Sequence, residues 1–236
     1  MFKLISALAL ALVFAFAARP AIADEHTEMQ KYFKDFLVDG YVDQNNMRML
    51  PIWSVPARVA VVDGDEKLTD IIGARVESFR KLSGIDIGPH EVGGSVNVVF
   101  TFADNLYQAL SEDKYGAYRP AFVSDGQYDD AILSLKTDKN KICFIQVGGR
   151  RYFIEGGFII LKNNISSQDF HRCISLSLMG LVGFKENLNS KVSSVLSNKK
   201  IFNFIPTDTT VLKEISANEN NKISFKEFLK KLEKDK

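Results

Sequence analysis

The chain has 236 residues, of which 46% are hydrophobic and 25% charged, the proportions of an ordinary globular protein. Lys and Arg number 30 against 29 for Asp and Glu. This excludes a disordered tail protein, a collagen-like fibre and a multi-pass membrane protein, and the absent basic excess gives no reason to expect nucleic acid as a partner.

The first segment reads as a targeting signal. Lys3 supplies the positive start, and Leu4 to Ala18 is apolar except for Ser6. A run of fifteen residues is shorter than the roughly 20 that a membrane-spanning helix needs. Ala21-Ile22-Ala23 places small residues where a signal peptidase reads. Residues 1–23 are therefore expected to be a secretory signal peptide cleaved after Ala23, the rival reading being an uncleaved anchor. The mature protein is expected to be secreted or periplasmic and not integral to a membrane. Cys143 and Cys173 both lie in the exported part, where oxidation is allowed. Their even number favours one bridge, which would stabilise by about 3 kcal/mol; two buried thiols are the alternative. The absence of a Cys-x-x-Cys pair argues against a cysteine zinc site.

From Asp24 to Val38, Met29, Tyr32, Phe33, Phe36 and Leu37 recur at helical spacing, and Asp39-Gly40 stops the helix. Residues 24–48 are expected to form an amphipathic helix and linker, lying as a flap on a single domain over residues 49–236. Trp53-Ser54-Val55-Pro56 leads a strand over Val59 to Val62. Leu68, Ile71, Ile72, Val76, Phe79 and Leu82 mark a helix that Ser83-Gly84 ends. Val96 to Phe102 alternates as a second strand, and Asp104 is expected to cap a short helix through Leu110. Ser111 to Asp130 reads as loop. Ile142 to Val147, Tyr152 to Ile154 and Phe158 to Leu161 read as strands, with the glycine pairs at 148–149 and 156–157 as hairpin turns. Ser166, three residues before Asp169, opens a central helix. Phe170, Cys173, Ile174, Ser177, Leu178, Leu181 and Val182 share its apolar face, and Gly183 closes it. Mixed helices and strands predict an α+β or α/β domain.

The order of these elements resembles a zincin. More closely, the chain resembles the bacterial family of secreted proteins called DUF2927, over about Pro51 to Phe228. The matching pieces are Trp53-Ser54-Val55-Pro56, Leu82-Ser83-Gly84-Ile85, Asn97-Val98-Val99-Phe100, the pair Cys143 and Cys173, Leu181-Val182-Gly183-Phe184, Ser194 to Asn198, and Asp208 to Ile215. The resemblance implies a zincin-like mixed sheet packed against two main helices, near 68–82 and 167–182, with a helical C-terminal tail. It also implies a bridge from the strand at Cys143 to the central helix at Cys173. In a zincin, two histidines at i and i+4 bind zinc and a glutamate between them is the general base. Here the ligand positions fall on Leu176 and Gly180 and the base position on Ser177. None of the three can do that chemistry.

No other catalytic pattern replaces it. Three histidines exist, His26, His90 and His171; a displaced metal site at His171 would need partners such as Asp169 or Glu155. No Gly-x-Ser-x-Gly elbow or phosphate-binding loop occurs. Ser216 to Glu227 has the length of an EF-hand loop, with Asn218, Asn220, Ser224 and Glu227 at ligand-compatible positions, but Ser216 stands where Asp is usual. The reading that follows is a secreted or periplasmic non-catalytic protein of a metallopeptidase-like family, without a cofactor. It would act on an unknown protein or envelope partner. The alternatives are a hydrolase with a displaced site and a weak calcium-binding envelope protein.

Overall fold

A computed structural model describes residues 19–39, 41–114, 116, 118–219 and 223–234. The expected signal peptide falls mostly outside these residues. Helix α1, Arg19–Phe36, runs across the expected cleavage point after Ala23. Next come β1 (Ile52–Trp53), β2 (Ala57–Val62), α2 (Glu66–Ser83), β3 (Ile87–Pro89) and β4 (Val98–Ala103). Then follow α3 (Leu106–Glu112), a 3-10 turn at Arg119–Ala121, α4 (Asp125–Thr137), β5 (Cys143–Arg150) and β6 (Phe153–Lys162). Helices α5 (Ser167–Gly180), α6 (Pro206–Glu219) and α7 (Phe225–Lys234) complete the chain. The fold is α+β, a mostly parallel six-stranded sheet with a helical C-terminal end. No helix of the described residues is long and apolar enough to cross a membrane.

The sheet runs β3-β2-β4-β6, all parallel, and β1 adds a short parallel pairing at the start of β6. Strand β5 pairs antiparallel with β6 and forms one edge. Two apolar layers result because strand side chains alternate between faces. On one face Val59, Val98, Phe100, Ile159 and Leu161 meet α2 and α5 in the main core. On the other, Phe144, Phe158 and Ile160 pack under α3 and α4 with Tyr118 and Tyr128.

Several expectations need correction. Residues 111–130 are not all loop: Ser124 caps α4 by accepting from Gln127 N at 3.3 Å. The apolar stripe of α4 is narrow, with only Tyr128 and Leu135 buried, so its period is hard to see. Asn105, not Asp104, caps α3. Gly148 and Gly149 sit at a bulge in β5, not at a turn, and the chain reverses at Arg151, whose φ is 59°. Gly156 and Gly157 lie inside β6, which is one strand rather than two. Helix α1 is no flap: Tyr32, Phe33 and Phe36 are fully buried in the main core. Phe33 packs edge-on against Phe228 of α7, with 4.6 Å between centroids.

Candidate functional site

A groove of about 870 Å³ runs between the outer edge of β5 and helix α5. Six successive residues, Ile142 to Val147, line it. Because strand side chains alternate, an unbroken run lines a cavity only where the strand presents its backbone edge. The register agrees: Lys162 N donates to Ile142 O at 2.9 Å, which makes 142, 144 and 146 the positions bonded to β6. The amides and carbonyls of Cys143, Ile145 and Val147 then face the groove. Gln146 Nε2 donates to the Val147 carbonyl at 3.0 Å. Among the described residues no backbone bond reaches Cys143 or Ile145 from the groove side.

Arg172, Leu176 and Gly180 form the facing wall, three positions on one side of α5. Val38, Tyr41 and Phe184 close the apolar end. Burial there pushes the Tyr41 phenol up to about 12. The disulfide between Cys143 and Cys173 ties strand to helix, with Cα atoms 6.1 Å apart.

Leu176 and Gly180, the positions that the resemblance sets against zincin ligands, both line the groove and carry no ligand atoms. Ser177 instead points into the core, fully buried, and its Oγ donates to Cys173 O at 2.6 Å. Gly180 has a packing role. A Cβ at Gly180 would stand 2.9 Å from Ile145 Cγ2, so β5 rests directly on the helix there. An imidazole at 180 has no room unless the strand moves.

Arg172 is the groove residue that sequence reasoning missed. It is 3% exposed. Its Nη1 donates to the carbonyls of Val195, Asn198 and Ile201 at 2.9, 2.7 and 3.0 Å, and its Nη2 to Glu186. Through these bonds α5 holds the irregular segment 186–201 as the groove rim. A lone arginine beside the cysteine of an apolar helix was the available signal.

The histidines do not assemble a substitute centre. His171 Nδ1 lies 3.3 Å from Arg75 Nη2, and burial together with the Arg75 charge lowers its pKa. His90 Nδ1 is buried without a hydrogen-bond partner among the described residues. The His26 side chain lies outside them. Asp169 accepts from Ser166 Oγ at 2.8 Å within the helix cap, and Glu155 is exposed on β6. No group of three His, Cys, Asp or Glu residues is placed to hold a metal among the described residues.

In the EF-hand-like stretch, Ser216, Ala217 and Asn218 belong to helix α6 rather than to a loop. Asn220 and the side chain of Asn218 lie outside the described residues. Glu227 Oε2 accepts from Ser224 N and Ser224 Oγ at 3.0 and 2.7 Å, capping α7. Those bonds hold the Glu227 carboxyl below its usual range.

A second polar cluster is wholly internal. Asp208 Oδ1 accepts from Tyr32 OH at 2.7 Å and Ser194 Oγ at 2.6 Å. Its Oδ2 accepts from Val195 N and Ile205 N at 3.2 and 3.1 Å. All three side chains are fully buried. Burial first, and then the Asp208 charge, push the Tyr32 phenol far above its usual range. With no path to solvent, this cluster is a fastening between α1 and α6.

Comparison with protein-family models, with curated proteins and with solved structures finds no match for this chain. The pieces that carry the DUF2927 resemblance have structural duties here. Trp53 Nε1 donates to Leu181 O at 2.8 Å. Asn97 stitches three strand starts together: Oδ1 accepts from Arg58 N at 2.6 Å, and Nδ2 donates to the Pro56 and Glu155 carbonyls at 3.1 and 3.2 Å. Ser194 and Asp208 belong to the internal fastening. These residues hold the fold of this chain together, and carry no information about activity.

Proposed function

We propose that this chain is an exported, non-catalytic protein of metallopeptidase-like, DUF2927-type ancestry that works by binding, and that its ligand is an extended polypeptide lying along β5. The observation that carries the reading is the pair Leu176 and Gly180, which face the groove at i and i+4 without a ligand atom, with Ile145 packed over the glycine. The order of strand, helix, strands and central helix supports the ancestry. The unpaired edge at Cys143 and Ile145 supports the mode of binding, because an open strand edge adds a further strand through main-chain hydrogen bonds. From Cys143 to Val147 that edge is about 14 Å long at the usual strand rise.

Two measurements test it. Elemental mass spectrometry of the mature, oxidised protein, purified without chelators or a histidine tag, is expected to find no stoichiometric zinc. Chelator-sensitive cleavage of a peptide would overturn the non-catalytic reading. Hydrogen exchange with a saturating bound peptide is expected to slow at the Cys143 and Ile145 amides, and unchanged exchange there removes the strand-edge mode. Export is checked separately, by the mass of the processed chain and its presence outside the cytoplasm.

A further inference from the structure

We infer that the polypeptide taken by this groove carries two apolar side chains two positions apart, both pressed against α5, with the residue between them facing away. The inference rests on the strand-edge reading above. Its ground is the unequal chemistry of the two sides of β5.

Side chains on a strand alternate between faces, and the contacts of β5 fix which face each residue takes. Cys143 is joined to Cys173 of α5, and Ile145 packs on Gly180 of the same helix. Residues 143, 145 and 147 therefore point to the α5 side. Phe144 belongs to the core under α3 and α4, and Gln146 Nε2 donates to Ala121 O at 3.3 Å. Both stand on the opposite side.

In an added strand each residue projects to the same face as the β5 residue across from it, in either strand direction. The residues across from Ile145 and Val147 then meet Leu176, Phe184, Val38 and Tyr41. Phe184 is buried and the other three are half-buried, so the wall they form is apolar and already built. The residue between them turns the other way. Among the described residues no side chain of α3 or α4 lines the groove on that side, so a polar residue there stays in water.

The start of β5 adds no preference of charge, because Lys141 and Lys199 line it together with Asp138 and Asp169. Selection falls to the far half. A polypeptide fits that half better than an acyl chain. An acyl chain lying there would cover the outward main-chain groups of Ile145 without bonding them, which is costly.

The test compares two short labelled peptides of one composition, with Val and Thr alternating in the first and gathered into blocks in the second. Binding to the mature, oxidised protein is read by fluorescence anisotropy. The alternating peptide is expected to bind about tenfold more tightly, the effect of seating one further apolar side chain. Leu176→Ser is expected to remove most of that advantage, and circular dichroism confirms that the variant is folded. Each peptide is also made N-methylated on alternate amides, in both phases. One phase is expected to abolish binding and the other to be tolerated, the mark of strand addition.

Equal affinity of the two peptides, with the phase effect kept, overturns this inference and leaves the strand-edge reading standing. So does an advantage that ignores Leu176→Ser. A non-ionic detergent that displaces the alternating peptide as readily as unlabelled peptide does marks an unselective apolar surface and overturns it too. Failure of both peptides to bind, or binding indifferent to either phase of methylation, overturns both readings.

Discussion

Ile145 and Gly180 are in contact across the β5–α5 seam, so closely that a single added methyl at 180 would lie 2.9 Å from Ile145 Cγ2. A glycine inside a helix costs roughly 1 kcal/mol against alanine, and here it is what lets the strand approach. Gly180→Ala is therefore expected to destabilise by about 1–2 kcal/mol, overpacking outweighing the helix gain. Ile145→Ala in the same chain should recover part of that loss. Urea denaturation of the four members of the cycle measures it; additive single effects would show that the two residues do not touch.

The bridge between Cys143 and Cys173 holds the edge strand against the central helix. Replacing both cysteines by serine is expected to lower stability by about 3 kcal/mol or more, since two hydroxyls are also buried. Adding a reductant to the native protein should move its denaturation midpoint the same way. An unchanged midpoint after reduction, with free thiols verified, would contradict a stabilising role.

Asp208 anchors the internal cluster. Asp208→Ala leaves the hydroxyls of Tyr32 and Ser194 and two amides short of an acceptor, with an expected cost of about 3 kcal/mol or more. Tyr32→Phe removes one donor and keeps the ring, so about 1 kcal/mol is expected. Calorimetry on both variants tests the order. Equal effects would mean that the ring packing, not the carboxylate, dominates.

His171 makes stability depend on pH. Its folded pKa lies below the ordinary 6.5, first because of burial and then because of Arg75. The unfolded chain therefore takes up the proton first. The contribution is complete above about 6.5 and is lost as pH falls through the lowered folded value. Groups facing it include Arg75 of α2, which repels the charged ring, while neighbouring Asp169 is engaged by Ser166. Urea midpoints between about pH 8 and about pH 5 should fall less in His171→Gln than in the parent. Parallel slopes would remove His171 from the effect.

Much of the fold was legible because the long elements carry strong periodicity and punctuation. Helix α2 announces itself through Ile72, Val76 and Phe79, and α5 through Ser166 and its apolar face. Helix α4 was missed because its stripe is thin and Leu133 is exposed. The three-residue β3, ended by a proline, is too short to show a period. The groove was half legible. Leu176, Ser177 and Gly180 were singled out, and the structure separates them: two face the groove and the serine faces the core. Ile145, Arg172 and the free edge of β5 could not be read, because each depends on which distant segment lies alongside.

The Tyr32–Ser194–Asp208 cluster also bears on how the protein is made. Tyr32 bonds partners 162 and 176 residues further along the chain. Phe33 and Phe36 share a core with residues as late as Phe228 and Leu232. Synthesis delivers α1 well before these companions, which lie 162 and 176 residues further on. Until they emerge, an aromatic helix face has nothing to cover it. Folding must wait for these remote contacts and is expected to be slow, with a sticky early intermediate that calls for a holding chaperone.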